Sequence, residues 1–338
     1  MNTVVAALGL LLGGAVWAAS AASISEENSR SHWAFQPVRQ PALPTVKNLG
    51  WVRSPVDAFI LAKLEERRWQ PAPAAGPTDW LRRVYYDLTG LPPSPEAIAA
   101  FVKDNSATAR EAVVDRLLAS ERYGERWAQH WLDVVRYAES EGFEYDRHLP
   151  EAWRFRDYVV NSFNADKPFD RFIMEQLAGD ELDPDNRECQ SASVFHRLGA
   201  VRRNAGNPDI ALSRNEVLTE RTDIVGTAFL GLTIGCARCH DHKLEPISQK
   251  DYYRLEAYFA ATDEHNISLA SAEEKSAWEK RKKELQDEIT ALKARAKLAK
   301  TPEQERLTAQ AEALEEQMPA PLATIPATIP NPESVPVI

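Results

Sequence analysis

The chain has 338 residues, with 50 acidic against 40 basic side chains and a formal net charge of -10. Its acidic residues are spread out and no Lys/Arg run stands alone, which excludes the electrostatic footprint of a nucleic-acid binder. Three cysteines in a chain long enough to bury its own core exclude a disulfide-stapled fold.

Residues 4–17 are an apolar run, and Ala19-Ser20-Ala21 fits a small-residue cleavage site. Residues 1–21 are therefore expected to be a secretory signal peptide, and the protein to be exported to the periplasm or beyond. The run is short for a bilayer span, and no other stretch is apolar enough to be one. Residues 22–50 are expected to be an extended segment.

Helical signals then follow one another. Ser54-Pro55 opens a helix with Val56, Phe59, Ile60 and Leu64 at helical spacing. Thr78 is expected to cap a second helix carrying Leu81, Val84, Tyr85 and Leu88, stopped by Gly90 and Pro92-Pro93. Ser94-Pro95-Glu96 opens a third, a fourth begins near Thr108, and a fifth carries Trp127, Trp131, Val134 and Val135. Residues 140–214 are less periodic. A further helix is expected over about 215–232, and Ser248 caps another with Tyr252, Leu255 and Phe259. No alternating run long enough for a sheet occurs. The expected fold class is mainly α: a multi-helix domain over 51–265, then a charged helical hairpin or coiled coil over 272–317. Within the hairpin, Thr301-Pro302-Glu303-Gln304 reads as a capping box. Residues 318–338 read as a Pro-rich linker leading to a further C-terminal domain.

The chemistry concentrates in "GCARCHDHK", residues 235–243. Cys236, Cys239 and His240 have the C-x-x-C-H spacing of covalent haem attachment, in which two thiols form thioethers and the following His binds iron. Arg238, His242 and Lys243 are candidate contacts for haem propionates. Met174 is the candidate distal ligand, with His130, His196 or an open position as alternatives. His242 is excluded from that role by reach, since two residues span at most about 7 Å. Zinc is the rival cofactor, drawing on Cys236, Cys239, His240 and His242 with help from His130, His148 or His196. A bare dithiol or disulfide is the third reading. The acidic loop 139–146 offers Glu139, Glu141, Glu144 and Asp146 to calcium, without EF-hand spacing. Asp133, Glu139 and Asp180 are candidate hydrolase carboxylates.

Six ordered segments carry a family resemblance: "HWAFQPV" (32–38), "SPVDAFILAKLE" (54–65), "RRVYYDLTGLPPSPE" (82–96), "LLASERYGERWAQHWLDVVRYAESEGFEYD" (117–146), "WRFRDYVVNSFNADKPFDRFIMEQLAGDEL" (153–182) and "GTAFLGLTIGCARCHDHKLEPISQKDYYRLEAYF" (226–259). Together they resemble the planctomycete cytochrome-c-like family, a domain of formally unknown function. The resemblance implies a continuation through a charged spacer into a second domain, and it names no reaction. The expected function is that of an exported c-type haem protein, serving electron transfer or haem-assisted oxidation with an unidentified redox partner. The competing class is a non-redox, zinc- or calcium-stabilised binding or hydrolytic module of a degradative system.

Overall fold

A computed structural model of the chain describes residues 31–142, 146–200 and 210–330. The signal-peptide segment, Glu144 and the last eight residues lie outside the described residues. The chain is mainly helical. No helix among the described residues is long and apolar enough to cross a membrane. The chain divides into two compact units, one of residues 1–114 with 233–254, the other of residues 115–232 with 255–338. The stretch 51–265, expected as a single domain, is shared between them.

The first unit opens with α1 (Pro55–Glu66), α2 (Pro77–Thr89), α3 (Pro95–Lys103) and the start of α4 (Ala107–Leu118). Local sequence explains the helix ends. Ser54 accepts the Asp57 N–H while the Asp57 carboxylate accepts the Ser54 N–H, a capping box before Pro55. Ser94 accepts from the Ala97 N–H. Gly90 ends α2 at φ 70°, the left-handed conformation that glycine adopts without strain. The cap of α2 is Gly76 with Pro77 at the first helical position, so Thr78 lies inside the helix and does not cap it. On α1 the buried residues are Ala58 and Leu61, whereas Val56, Phe59 and Ile60, expected to face inward, are exposed. The cause is that α1 is apolar on nearly every side, so spacing alone selects no face. Trp80 stacks on Phe101 at 5.2 Å, joining α2 to α3.

The second unit contains α5 (Glu121–Val134), α6 (Trp153–Asn164), α7 (Phe169–Leu182), α8 (Arg187–Ala192) and α9 (Ile210–Val225). Its core gathers Ala128, Val135, Phe155, Tyr158, Val159, Phe172, Phe195, Leu218, Ile224, Phe259 and Ile325. Three helices, α6 to α8, fill the middle segment that showed little periodicity. On α7 the buried residues are Phe172, Glu175, Gln176 and Gly179, a helical stripe with two polar members. Both are satisfied internally. Gln176 accepts the Trp131 indole N–H at 2.8 Å and donates to Phe172 O at 3.0 Å. Glu175 accepts from Lys167, Arg171 and Tyr158.

α10 (Gln249–Ala260) begins in the first unit and ends in the second. Beyond it, β1 (Thr262–Ser268) pairs antiparallel with β2 (Thr324–Pro330), Asn266 standing opposite Pro326. No strand was expected here, and residues 324–330 were assigned to a linker. Residues 325–328 of β2 are all buried, Ile325 and Ala327 most completely, so the strand is covered on both faces. Between the strands, α11 (Ala272–Leu298) and α12 (Glu303–Glu315) form the charged hairpin. Leu285, Ile289 and Ala296 on one helix and Leu307 and Ala311 on the other are buried. Ser271 closes a capping box with Glu274, whereas α12 starts without a side-chain cap at Pro302. The Thr301 capping box expected there is not formed.

Candidate functional site

The C-x-x-C-H segment lies in the first unit, on a 3-10 turn over Ile234–Arg238 that runs on into Cys239. A 3-10 turn repeats every three residues, so side chains three apart project to the same side. Ile234 and Ala237 form one such stripe and are buried. Cys236 and Cys239 form another and are exposed, both as free thiols. The Cys239 N–H donates to the Cys236 carbonyl at 3.3 Å, closing the turn between the two thiols. The spacing therefore presents both sulfurs outward on one side, while the alternate stripe anchors the turn.

His240 follows at once and is exposed. Its Nδ1 lies 2.7 Å from the Asp241 carbonyl oxygen. A carbonyl only accepts, so Nδ1 carries the proton and donates. The remaining lone pair is on Nε2, the arrangement that a metal-bound imidazole adopts when a backbone carbonyl fixes its tautomer.

His242 has a different task. Its Nε2 donates to Thr233 O at 3.1 Å, and its Nδ1 accepts the N–H groups of Leu244 (3.3 Å) and Glu245 (2.9 Å). Both ring nitrogens are thus engaged in folding the loop back on the start of the motif. A propionate contact at His242 would have to displace one of them. Arg238 is held through its carbonyl, which accepts from the Gln249 side chain at 3.0 Å and the Tyr253 hydroxyl at 3.1 Å. The Gln249 N–H also donates to the Asp241 carboxylate at 2.8 Å. Ser248 caps α10 reciprocally with Asp251, whose carboxyl is held below the usual range by hydrogen bonds from the Ser248 hydroxyl and N–H. The first turn of α10 therefore braces the motif from behind. Lys243 is exposed, as are the apolar Leu244 and ring of Tyr253.

The other candidates belong to the second unit. Met174 is exposed on α7. His130 is exposed on α5, its ring edge-on to Trp127 at 5.5 Å. His196 donates from Nε2 to Leu177 O at 3.0 Å, and its Nδ1 is buried without a partner. Its pKa is pushed down to about 4, chiefly by burial with the Leu177 bond opposing and the Arg221 charge assisting. His148 donates from Nδ1 to Glu139 O at 3.0 Å. No group of three or more His, Cys, Asp or Glu residues close enough to hold a metal ion occurs among the described residues.

The described residues of the acidic loop are held by ion pairs. Glu139 pairs with Arg156 at 3.3 Å and Glu141 with Arg147 at 3.1 Å, and a backbone bridge joins Ser140 to His148. Asp133 lines an open cleft of about 700 Å³ with Glu125, Tyr137, Arg156 and Asp157. Asp180 lines a separate cavity of about 390 Å³. Of the three carboxylates proposed from the sequence for hydrolysis, Asp133 and Asp180 thus line different hollows and Glu139 lines neither of them. The bracing residues Gln249 and Tyr253 were missed from the sequence. Their one signal there is that they fall on the helix that follows the motif.

No curated protein and no solved structure matches this chain. A family model does match, over residues 55–264, which is more than half of the chain. It covers α1 through the C-x-x-C-H turn and α10. The chain accordingly belongs to the PSCyt2 family, described as a protein of unknown function (DUF1549).

Proposed function

We propose that the protein is an exported c-type haem protein whose haem is attached at Cys236 and Cys239, with His240 as the proximal ligand. The observation that carries this reading is the outward pairing of two free thiols beside a histidine whose Nδ1 is committed to a carbonyl. The donor set fits the group: two thiols for thioethers, and one neutral imidazole with Nε2 available for iron. When bound, a c-type haem supplies one-electron redox chemistry.

The chain's own residues prepare the site. The Asp241 carbonyl sets the His240 tautomer and raises its basicity. Gln249, Tyr253 and the His242 loop hold the turn, so that little ordering entropy remains when the thiols react. Leu244 and Tyr253 supply exposed apolar surface close in sequence to the motif, and burying it against a large flat group is favourable. Arg238 and Lys243 are the candidate propionate partners. Electron transfer is the role proposed, with an exported redox partner. The apolar run and cleavage site at residues 1–21 support export, which thioether attachment outside the cytoplasm requires.

The test is haem staining after denaturing electrophoresis of the full chain made in an export-competent host with haem maturation. Thioether bonds survive unfolding, so the wild type is expected to stain, and a Cys236→Ser, Cys239→Ser double variant is not. A colourless protein from that host carrying one equivalent of zinc would replace the haem reading with the metal one.

A further inference from the structure

A cavity of about 390 Å³ in the second unit is the best-formed candidate outside the motif. It is bounded by Leu177, Val225 and Leu255, by the rings of His196, Tyr258 and Phe259, and by the carboxylates Asp180 and Glu181. Its size and its mostly apolar lining with few polar groups are those of a small-molecule site. The helix α7 creates it. Ala178 leaves helical geometry at φ -151°, ψ 33°, which frees the Leu177 carbonyl for His196 and turns Asp180 and Glu181 to the cavity.

The residues lining the cavity include two carboxylates and no lysine or arginine. Asp180 and Glu181 make no ion pair with any lysine or arginine among the described residues. Burial holds the Asp180 carboxyl above its ordinary value, and the neighbouring Glu181 charge adds to this. A cation entering the cavity would relieve both effects. His196 is neutral at physiological pH and does not repel one. Two guanidiniums adjoin the wall at Thr262: Arg221 donates to His196 O at 3.1 Å and to Thr262 Oγ1 at 2.9 Å, and Arg214 donates to Thr262 O. Aromatic faces beside carboxylates are the chemistry that recognises alkylated ammonium groups, through ring quadrupole and counter-charge together.

We infer that this cavity binds an organic cation, an ammonium group on a short apolar body, with Asp180 and Glu181 as counter-charges and Tyr258 and Phe259 as aromatic walls. The site does not depend on the haem.

The experiment is calorimetric titration of the full chain with choline and with 3,3-dimethylbutan-1-ol, its uncharged isostere. Choline is expected to bind at least tenfold more tightly than the alcohol. An Asp180→Asn, Glu181→Gln double variant is expected to lose that preference, and Tyr258→Ala to weaken choline about tenfold. Tyr258 is 79% exposed, so its removal leaves folding intact, and the melting temperature checks this. Equal affinity for the two compounds, no saturable choline binding, or a preference retained in the double variant would each overturn the inference.

Discussion

His196 makes stability depend on acidity in a way that one substitution isolates. Its pKa in the folded protein is about 4, against 6.5 for the free side chain. Above pH 6.5 the ring is neutral whether or not the chain is folded, and its contribution is fully present. Below 6.5 the unfolded chain takes up a proton that the folded one refuses, so stability falls until the pH reaches about 4. Between pH 7 and pH 5 the linkage amounts to about 2 kcal/mol, and somewhat less because part of the ring is exposed. Glutamine can keep a donor to Leu177 O but cannot titrate. Urea unfolding of the wild type and of His196→Gln at both pH values measures the difference. The carboxylates common to both proteins cancel. The wild type is expected to lose 1–2 kcal/mol more than the variant (about 1.4 kcal/mol per pKa unit of linkage). Equal losses in the two proteins would show that His196 is not held neutral and would refute the reasoning.

Other expectations follow from single contacts. A methyl group on Gly179 would collide with the Cys189 carbonyl where α7 meets α8, so Gly179→Ala is expected to cost about 2–3 kcal/mol in urea unfolding. Lys167→Met leaves buried Glu175 with Arg171 and Tyr158 alone, and is expected to cost about 2–3 kcal/mol at pH 7. Burial works to raise the Glu175 pKa, but its Lys167, Arg171 and Tyr158 bonds prevail and hold it low. Stability from this carboxylate is therefore present above the unfolded value near 4.5 and is lost as pH falls through the lower folded one, and the Lys167→Met penalty should shrink at pH 3. His242→Ala removes three backbone partners at once, and faster amide hydrogen exchange at Leu244 and Glu245 is the expected result.

The parts of the fold that were legible in the sequence rest on local chemistry. Ser54, Ser94 and Ser248 announce helices because their hydroxyls bond N–H groups three residues on. The α11–α12 hairpin is legible from its charged, heptad-spaced run. The middle helices were hidden for two reasons. The capping positions of α6 and α7 are Ala152 and Pro168, which supply no side-chain cap, and the inward stripe of α7 includes Glu175 and Gln176. Their burial is made possible by Arg171 one helical turn away and by Lys167 and Trp131, which only the folded chain brings near. The strand at 324–330 was masked by its prolines, and with residues 325–328 all buried no alternation marks it. At the motif, the spacing of Cys236, Cys239 and His240 was readable. What spacing alone could not tell was which histidine is committed to the backbone: His242 has both ring nitrogens occupied, and His240 keeps one.

The central claim is that Cys236 and Cys239 hold a haem through covalent bonds. Intact-mass measurement of the full chain from a haem-maturing, export-competent host, followed by peptide mapping, tests it most directly. The account predicts a mass increment of one haem per chain, carried by the peptide that contains Cys236, Cys239 and His240. An unmodified mass, with both thiols of that peptide alkylated by iodoacetamide, would contradict it.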